Sequence, residues 1–469
     1  MTLTARTLAR RLQEWRGTGH AYLALANRIG LLITDGGISP GTRLPAEREL
    51  AAVLGVSRST VAAAYQELRS GDLIESTRGS GSVARLPRRA IPRPDPFGAE
   101  LDLSKAAMPA LPRLPEAYRA AVEALPEALE DPGFDPIGRL DLRTAIADRY
   151  THRGLETSPD QIMVTIGAQH AISLIARTLL HRGDRVLIEN PTYSHAIDAF
   201  SEVGARMIGV AVDATDGWDE LALEQVIGRG TPALAYLMPA NHNPTGQSMP
   251  TLLLERTLAD AAAHGTMVVV DETMAELTLD GPNPLPAAVF GPAIMLGSVG
   301  KTLWGGIRVG WIRAEAPVIH TLVRARFAGD LGTPVLEQLV VRELLPHFDD
   351  ILDERIQWLR AGRAHLLDRL ARDFPQWQVP TPHGGLTTWV GLGAPVSTQL
   401  VIAARSRGLT ITAGPRFSMD GAFDRFLRIP YSNPIGHTDA ALDVLGEVWD
   451  AVTARPGAVA AVDELAAVV

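Results

Sequence analysis

The sequence contains no cysteine, which excludes disulfides, iron–sulfur ligation and thiolate catalysis and suits a reducing, cytoplasmic setting. It has no run of 18 or more uncharged apolar residues, so no membrane span is expected. The opening Met1-Thr2-Leu3-Thr4-Ala5-Arg6 is not followed by the long apolar stretch of a secretory signal. Lysine is missing from the first 93 residues, where all 14 basic side chains are arginine. Against 7 acidic residues these give that stretch a net charge of +7, while the remainder carries −16. The whole, at 469 residues, 46% apolar and 21% charged, is globular and too long for one core, so two or three domains are expected. A basic head on an acidic body suits a polyanionic partner, through its field and through counterion release.

In the head, Tyr22, Leu25, Ile29, Leu32 and Ile33 recur at helical spacing over residues 20–36, and Gly36, Gly37, Pro40 and Gly41 break the pattern. A second helix is predicted from Pro45-Ala46-Glu47, where proline costs nothing and Glu47 and Glu49 meet the positive helix end. Gly55 ends it. Ser57 then caps a third helix with Val61, Ala64, Tyr65 and Leu68 as its buried stripe. Two short helices about a tight glycine turn are a helix-turn-helix, whose second helix enters the major groove N-terminus first. Arg58, Ser59 and Thr60 stand at that end, and Arg48 on the preceding helix suits a phosphate. Leu73–Ser76, the turn Thr77-Arg78-Gly79-Ser80-Gly81 and Ser82–Ala84 read as a hairpin wing with Arg78 at its tip.

The stretches Pro40–Ala51, Gly55–Val61 and Arg78–Gly81 together resemble the GntR-family winged helix-turn-helix over roughly residues 18–84. That resemblance implies DNA contact by Arg48, Ser57, Arg58, Ser59, Thr60, Arg78, Gly79 and Gly81. Residues 85–99 follow as a linker rich in proline and arginine.

Beyond the linker, helices alternate with short apolar strands, the mark of an α/β sheet with ligand loops at its strand ends. Several chemically useful residues fall at those ends. Lys301, in Gly297-Ser298-Val299-Gly300-Lys301, offers an amine, and Asp271 ends the strongest β run, Met267–Val270. Gly167, Ala168 and Gln169 open a helix whose N–H groups suit a phosphate, with Ser298 and Arg308 completing the cradle. Tyr193 in Asn190-Pro191-Thr192-Tyr193 is a stacking platform, and Asn243 in Asn243-Pro244-Thr245-Gly246 a hydrogen-bond donor. An amine for an aldehyde, an acid for a pyridine nitrogen, a ring platform and a phosphate cradle are the needs of pyridoxal 5′-phosphate (PLP). No metal site is expected.

The ordered set resembles the fold-type I aminotransferase family over approximately residues 100–455. The resemblance implies Lys301 as the Schiff-base lysine, Asp271 at the pyridine nitrogen, Asn243 at the phenolic oxygen and Tyr193 stacked on the ring. It also implies phosphate binding by Gly167, Ala168, Gln169, Ser298 and Arg308, and a substrate or effector carboxylate on Arg428 of Phe426-Leu427-Arg428-Ile429. One departure stands out. The family follows its aspartate with a nearby tyrosine on the cofactor hydroxyl, whereas here the run is Asp271-Glu272-Thr273-Met274.

A GntR-like head on this body resembles the MocR subfamily of regulators. The expected fold is a winged helix-turn-helix (residues 1–84), the linker (85–99), an aminotransferase-like N-terminal segment with the large PLP domain (100–330) and a small α+β domain (331–469). The function implied is a PLP-dependent DNA-binding regulator, sensing PLP or an amino compound as an aldimine. It would act on a double-stranded DNA operator as a head-to-tail homodimer in the cytoplasm, with weak or no turnover. The alternative is an active aminotransferase that carries a DNA-binding head.

Overall fold

The computed structural model describes residues 3–12, 15–16, 20–34, 38, 42–77, 81–85 and 101–453. The head opens with a helix that the sequence reading did not foresee, α1 (Ala5–Leu12). Thr4 begins it, its hydroxyl accepting the Thr7 N–H at 3.2 Å. Ala5, Leu8 and Leu12 form its buried stripe, too short a repeat to stand out against the arginines between them. Helices α2 (Ala21–Thr34), α3 (Glu47–Leu54) and α4 (Arg58–Ser70) close over Leu25, Ile29, Leu50, Val61 and Leu68. Gly55 turns the chain between α3 and α4 at φ +63°, a conformation glycine adopts without Cβ strain. Ser57 caps α4 by accepting the Thr60 N–H at 3.1 Å.

The wing pairs β1 (Ile74–Thr77) with β2 (Gly81–Ala84), antiparallel. A third stretch joins it from before the helix-turn-helix: the Leu44 N–H donates to Ser82 O at 2.8 Å and the Ala84 N–H to Thr42 O at 2.9 Å. The expected wing tip, Arg78, Gly79 and Ser80, lies outside the described residues, as do the linker beyond Arg85 and the tail after Gly457.

The body is built on an eight-stranded sheet. In chain order its strands are β4 (Ile162–Thr165), β5 (Arg185–Asn190), β6 (Arg206–Asp213), β7 (Gly217–Trp218), β8 (Leu234–Leu237), β9 (Met267–Asp271), β10 (Ile294–Ser298) and β11 (Gly310–Arg313). Across the sheet the order is β4-β11-β10-β9-β8-β5-β6-β7. The pairs from β10 through β6 are parallel, while β11 runs antiparallel to both neighbours. Both faces are covered, so the central strands are almost unbroken apolar runs. Val268 and Val270 enter one core cluster and Val269 the other, by strand alternation. Parallel strands gather their carboxyl ends at one edge, where the turns after β4, β5, β8, β9 and β10 all open.

A second sheet, β12 (Thr387–Gly391), β15 (Phe426–Pro430) and β14 (Thr412–Ala413) in that order, places Arg428 on its central strand opposite Trp389 and Thr412. The first described residues after the linker, β3 (Leu101–Asp102), pair in parallel with β13 (Leu409–Thr410) of this same C-terminal part. Helix Val335–Leu344, beyond residue 330, packs against helix Leu114–Ala128. Head meets body where the Arg28 guanidinium on α2 donates to Gly421 O at 3.2 Å.

Candidate functional site

Asp271 ends β9, 5% exposed, and both its oxygens are engaged. Oδ1 accepts the Thr273 N–H at 3.0 Å and Oδ2 the Tyr236 hydroxyl at 2.6 Å. Sheet register explains the second bond. Tyr236 on β8 lies opposite Val269, and Asp271, two residues further, shares the same face. Burial, with Asp271 beside it, pushes the Tyr236 phenol well above its ordinary range, so it stays a donor.

Lys301 follows β10, and its Nζ donates to Ala106 O at 2.5 Å. Burial, aided by Arg428 and Arg308 against the pull of Asp271, brings its ammonium down to about 8. The sequence holds two lysines in all; the other, Lys105, is exposed and paired with Asp102 at 2.8 Å. Ser298 Oγ donates to Val309 O and accepts the Gly300 N–H, each at 3.1 Å.

At the end of β4, Gly167 caps helix Ala168–Leu179 with φ +78°. A Cβ there would lie 2.8 Å from Arg308 Nη2, which itself donates to Ile166 O at 3.0 Å. Gln169 Nε2 donates to His195 O at 3.0 Å, leaving its buried Oε1 without a partner. Tyr193 follows β5, its phenol pushed up to about 12 by burial and by Asp271. Asn243 follows β8, and its Oδ1 accepts from Arg428 Nη1 at 3.4 Å, which leaves Nδ2 as its remaining donor.

Arg428 is 7% exposed and forms no ion pair among the described residues. Its Nη2 donates to Ser104 O, its Nε has no partner, and its guanidinium lies 4.9 Å from the Phe417 ring centre. Burial draws its pKa down to about 10, so it remains cationic at neutral pH.

With the exception of Gly167, which stands behind the wall as the helix cap, every residue expected at the cofactor and carboxylate sites lines one cavity of about 530 Å³. Thr273 and Met274 line it too, in the region of the family tyrosine. A phenol does reach Asp271 itself, from Tyr236 on β8, a residue the sequence reading missed; its one signal was a hydroxyl inside the apolar run Leu234–Leu237. Also missed were the backbone carbonyls of Ser104 and Ala106, which no side-chain pattern reveals. The donor set fits PLP: one amine, one enclosed carboxylate, an aromatic face, and a helix N-terminus whose cradle a single methyl group would fill.

In the head, Arg48 and Arg58 are exposed, with Arg58 Nε 3.7 Å from Glu47. The hydroxyls of Ser59 and Thr60 lie 2.8 and 2.7 Å from Ser57 Oγ at the start of α4. Gly81 begins β2 at φ +81° with the guanidinium of Arg43 against it, a second arginine at the wing that the sequence reading passed over. Arg78 and Gly79 lie outside the described residues.

A lysine, an aspartate and a glycine-capped helix at the carboxyl edge of this sheet define a fold-type I PLP aminotransferase body, here joined to a winged-helix head. Comparison with known proteins agrees on both parts. The family described as aminotransferase class I and II matches residues 102–447, and that described as bacterial regulatory proteins, gntR family, matches residues 21–83. The uncharacterised HTH-type transcriptional regulator YdfD of Bacillus subtilis is 26% identical over 449 residues, covering 88% of this chain and 92% of that protein. YisV of the same organism, also an uncharacterised HTH-type regulator, is 26% identical over 469 residues, covering 90% and 95%. The crystal structure of LysN, the α-aminoadipate aminotransferase of Thermus thermophilus, superimposes with a TM-score of 0.70 at 30% identity, covering 76% of this chain and 93% of that one.

The chain belongs to the aminotransferase class I and II family and, through its head, is a MocR-type regulator of the GntR family. It is a DNA-binding transcriptional regulator with a PLP-binding body. Among the described residues no helix is long and apolar enough to cross a membrane.

Proposed function

We propose that this regulator senses PLP, alone or joined to an amino compound, through Lys301 and Arg428, and relays the event to its head through the segment that continues the linker. One observation carries the reading. Two cations set in the cavity are held by backbone carbonyls of a single segment, Lys301 by Ala106 and Arg428 by Ser104. That segment begins where the linker ends, at Leu101.

When bound, PLP supplies an aldehyde for amines and an electron-withdrawing ring. Lys301 gives up Ala106 once its amine is engaged there, and Arg428 gives up Ser104 when it takes a carboxylate bidentately. In this reading Asp271, held by Tyr236 and Thr273, faces the pyridine nitrogen. Asn243 Nδ2 donates to the phenolic oxygen, and Tyr193 lies against the ring. Ala168, Gln169, Ser298 and Arg308 hold the phosphate, with Gly167 setting the turn behind them. Segment-held and segment-released are then two states that ligand and DNA can bias differently, as coupling requires.

Two measurements on the full-length protein test this together. Hydrogen exchange over residues 101–111 is expected to quicken on adding PLP with an amino acid, and duplex-DNA affinity to change in step. Lys301→Ala should remove both responses. An unaltered DNA response in that variant would defeat the reading.

A head-to-tail homodimer in the cytoplasm belongs to the same proposal. Association between copies is supported by apolar side chains left in water on the body: Phe134 is 69% exposed, Phe327 57% and Leu331 48%. Gly332 packs on the Asp135 backbone, so the two segments that carry Leu331 and Phe134 meet. Sedimentation of Phe134→Asp would read out the monomer.

The second reading, a working aminotransferase, draws support from the lowered Lys301, since an amine near 8 can take and return a proton. It requires keto acid to be released from an amino-acid panel in single turnovers. No keto acid from any member would remove it.

A further inference from the structure

The match to gntR-family regulators begins at residue 21, so α1 and Arg16 stand outside the family's winged helix. They are nonetheless built into the head. Leu8 and Leu12 are fully enclosed in its core and Trp15 is 9% exposed. Two hydrogen bonds set the course of α1: the Leu3 N–H donates to Arg43 O at 2.9 Å, and Arg16 Nη2 to Leu54 O at 3.0 Å. Arg43 precedes α3 and Leu54 ends it, so α1 runs alongside α3 in the same direction, its first residues next to the stretch that pairs with the wing.

The outward face of α1 is cationic. Arg6, Arg10 and Arg11 are exposed, and no acidic residue occurs between Leu3 and Leu12. Arg6 and Arg10 are one turn apart, and neither forms an ion pair among the described residues. Arg10 and Arg11 lie in the last turn, where the helix dipole favours a cation. Arg6 is in the first turn, where the dipole disfavours one, so local helix stability does not account for it. In a helix-turn-helix the first helix, here α3, lies across the DNA backbone. Helix α1 runs beside that element and carries its own row of exposed arginines.

We propose that α1 is a second DNA contact, in which Arg6 and Arg10 bind backbone phosphates of the duplex beyond the stretch covered by the winged helix, without reading bases. It rests on the DNA-binding reading of the head. Each phosphate neutralised on B-DNA adds about 0.9 to the slope of log affinity against log salt.

The test uses the full-length protein and random-sequence double-stranded DNA, titrated by fluorescence anisotropy between roughly 50 and 200 mM salt. Arg6→Gln/Arg10→Gln is expected to flatten the slope by about 1.8, so that its affinity falls about 12-fold less than wild type over that range. Arg6→Lys/Arg10→Lys, which keeps both charges, should retain the wild-type slope and shows that the helix still folds. A slope unchanged in the glutamine variant, with Arg58→Gln still weakening binding, overturns the α1 contact and leaves the head intact. A wild type that fails to bind duplex DNA even at low salt overturns the head reading itself.

Discussion

Tyr236 and Asp271 share one face of adjacent parallel strands, and the phenol donates to the carboxylate at 2.6 Å inside the sheet. The family's usual tyrosine follows the aspartate in the chain; here a phenol serves Asp271 itself, from behind. Removing it leaves a buried carboxylate with the Thr273 N–H as its donor. Tyr236→Phe should lower the stability of cofactor-free protein by about 1.5–3 kcal/mol, the worth of a hydrogen bond to a charged group. Denaturant unfolding measures it, and an unshifted midpoint would show that the bond contributes nothing.

Capture of an aldehyde requires a neutral amine. Burial brings Lys301 to about 8, so its neutral form predominates above that pH and declines by about tenfold for each unit below it. The rate of PLP capture should therefore climb with pH and level off just above 8, whereas an ordinary lysine would still be climbing at 9. Stopped-flow absorbance follows the step. Borohydride reduction and peptide mapping should then mark Lys301 and not Lys105, and Lys301→Ala should yield no marked peptide.

Arg428 waits in the cavity with a backbone carbonyl and an amide oxygen in place of an acid. Arg428→Gln is expected to weaken binding of carboxylate-bearing amino acids about 10- to 100-fold, the loss of one charge-assisted contact. Simple amines lacking the carboxylate should bind as before. Arg428→Lys should recover little, because an ammonium offers a point charge and not a planar fork. Equal losses for both ligand classes would mean that Arg428 holds up the cavity and does not read carboxylates.

Gly167 combines φ +78° with the 2.8 Å clearance to Arg308 that a Cβ would leave. At φ +78° and ψ 171°, a region essentially reserved for glycine, Gly167→Ala brings backbone strain of about 1–3 kcal/mol and displaces Arg308 from the helix end. PLP affinity should fall about tenfold or more, with duplex-DNA affinity at low salt unaltered. Equilibrium dialysis against PLP is the direct check.

Much of the site was legible because its residues are announced by short local patterns. Asp271 closes a run of valines that can hardly be anything but a buried strand. Lys301 follows Ser298 at a spacing set by one turn, and Gly167 opens a helix whose apolar face is visible in Ala171, Ile172 and Ile175. The head was legible for the same reason, since Gly55, Ser57 and Val61 encode turn, cap and stripe within a few residues. What stayed hidden depended on partners far away in the chain. Helix α1 has one short stripe of its own, and it becomes a helix by burying Leu8 and Leu12 against a core made by residues 25–84. Arg43 reaches the wing through a strand pairing that spans some 40 residues.

By itself the sequence determined the order of parts and the chemistry each carries: a cationic head with a capped helix-turn-helix, and a sheet whose strand ends bear amine, acid, ring and glycine cradle. Those are local consequences of periodicity, capping and charge. Tertiary structure alone decided that Tyr236 supplies a phenol to the Asp271 carboxylate, because strand register sets which side chains share a face. It alone decided that Lys301 and Arg428, separated in sequence from Ala106 and Ser104 by 195 and 324 residues, are held by one segment at the end of the linker. Backbone carbonyls carry no residue-specific signature, so only the folded chain reveals where they point.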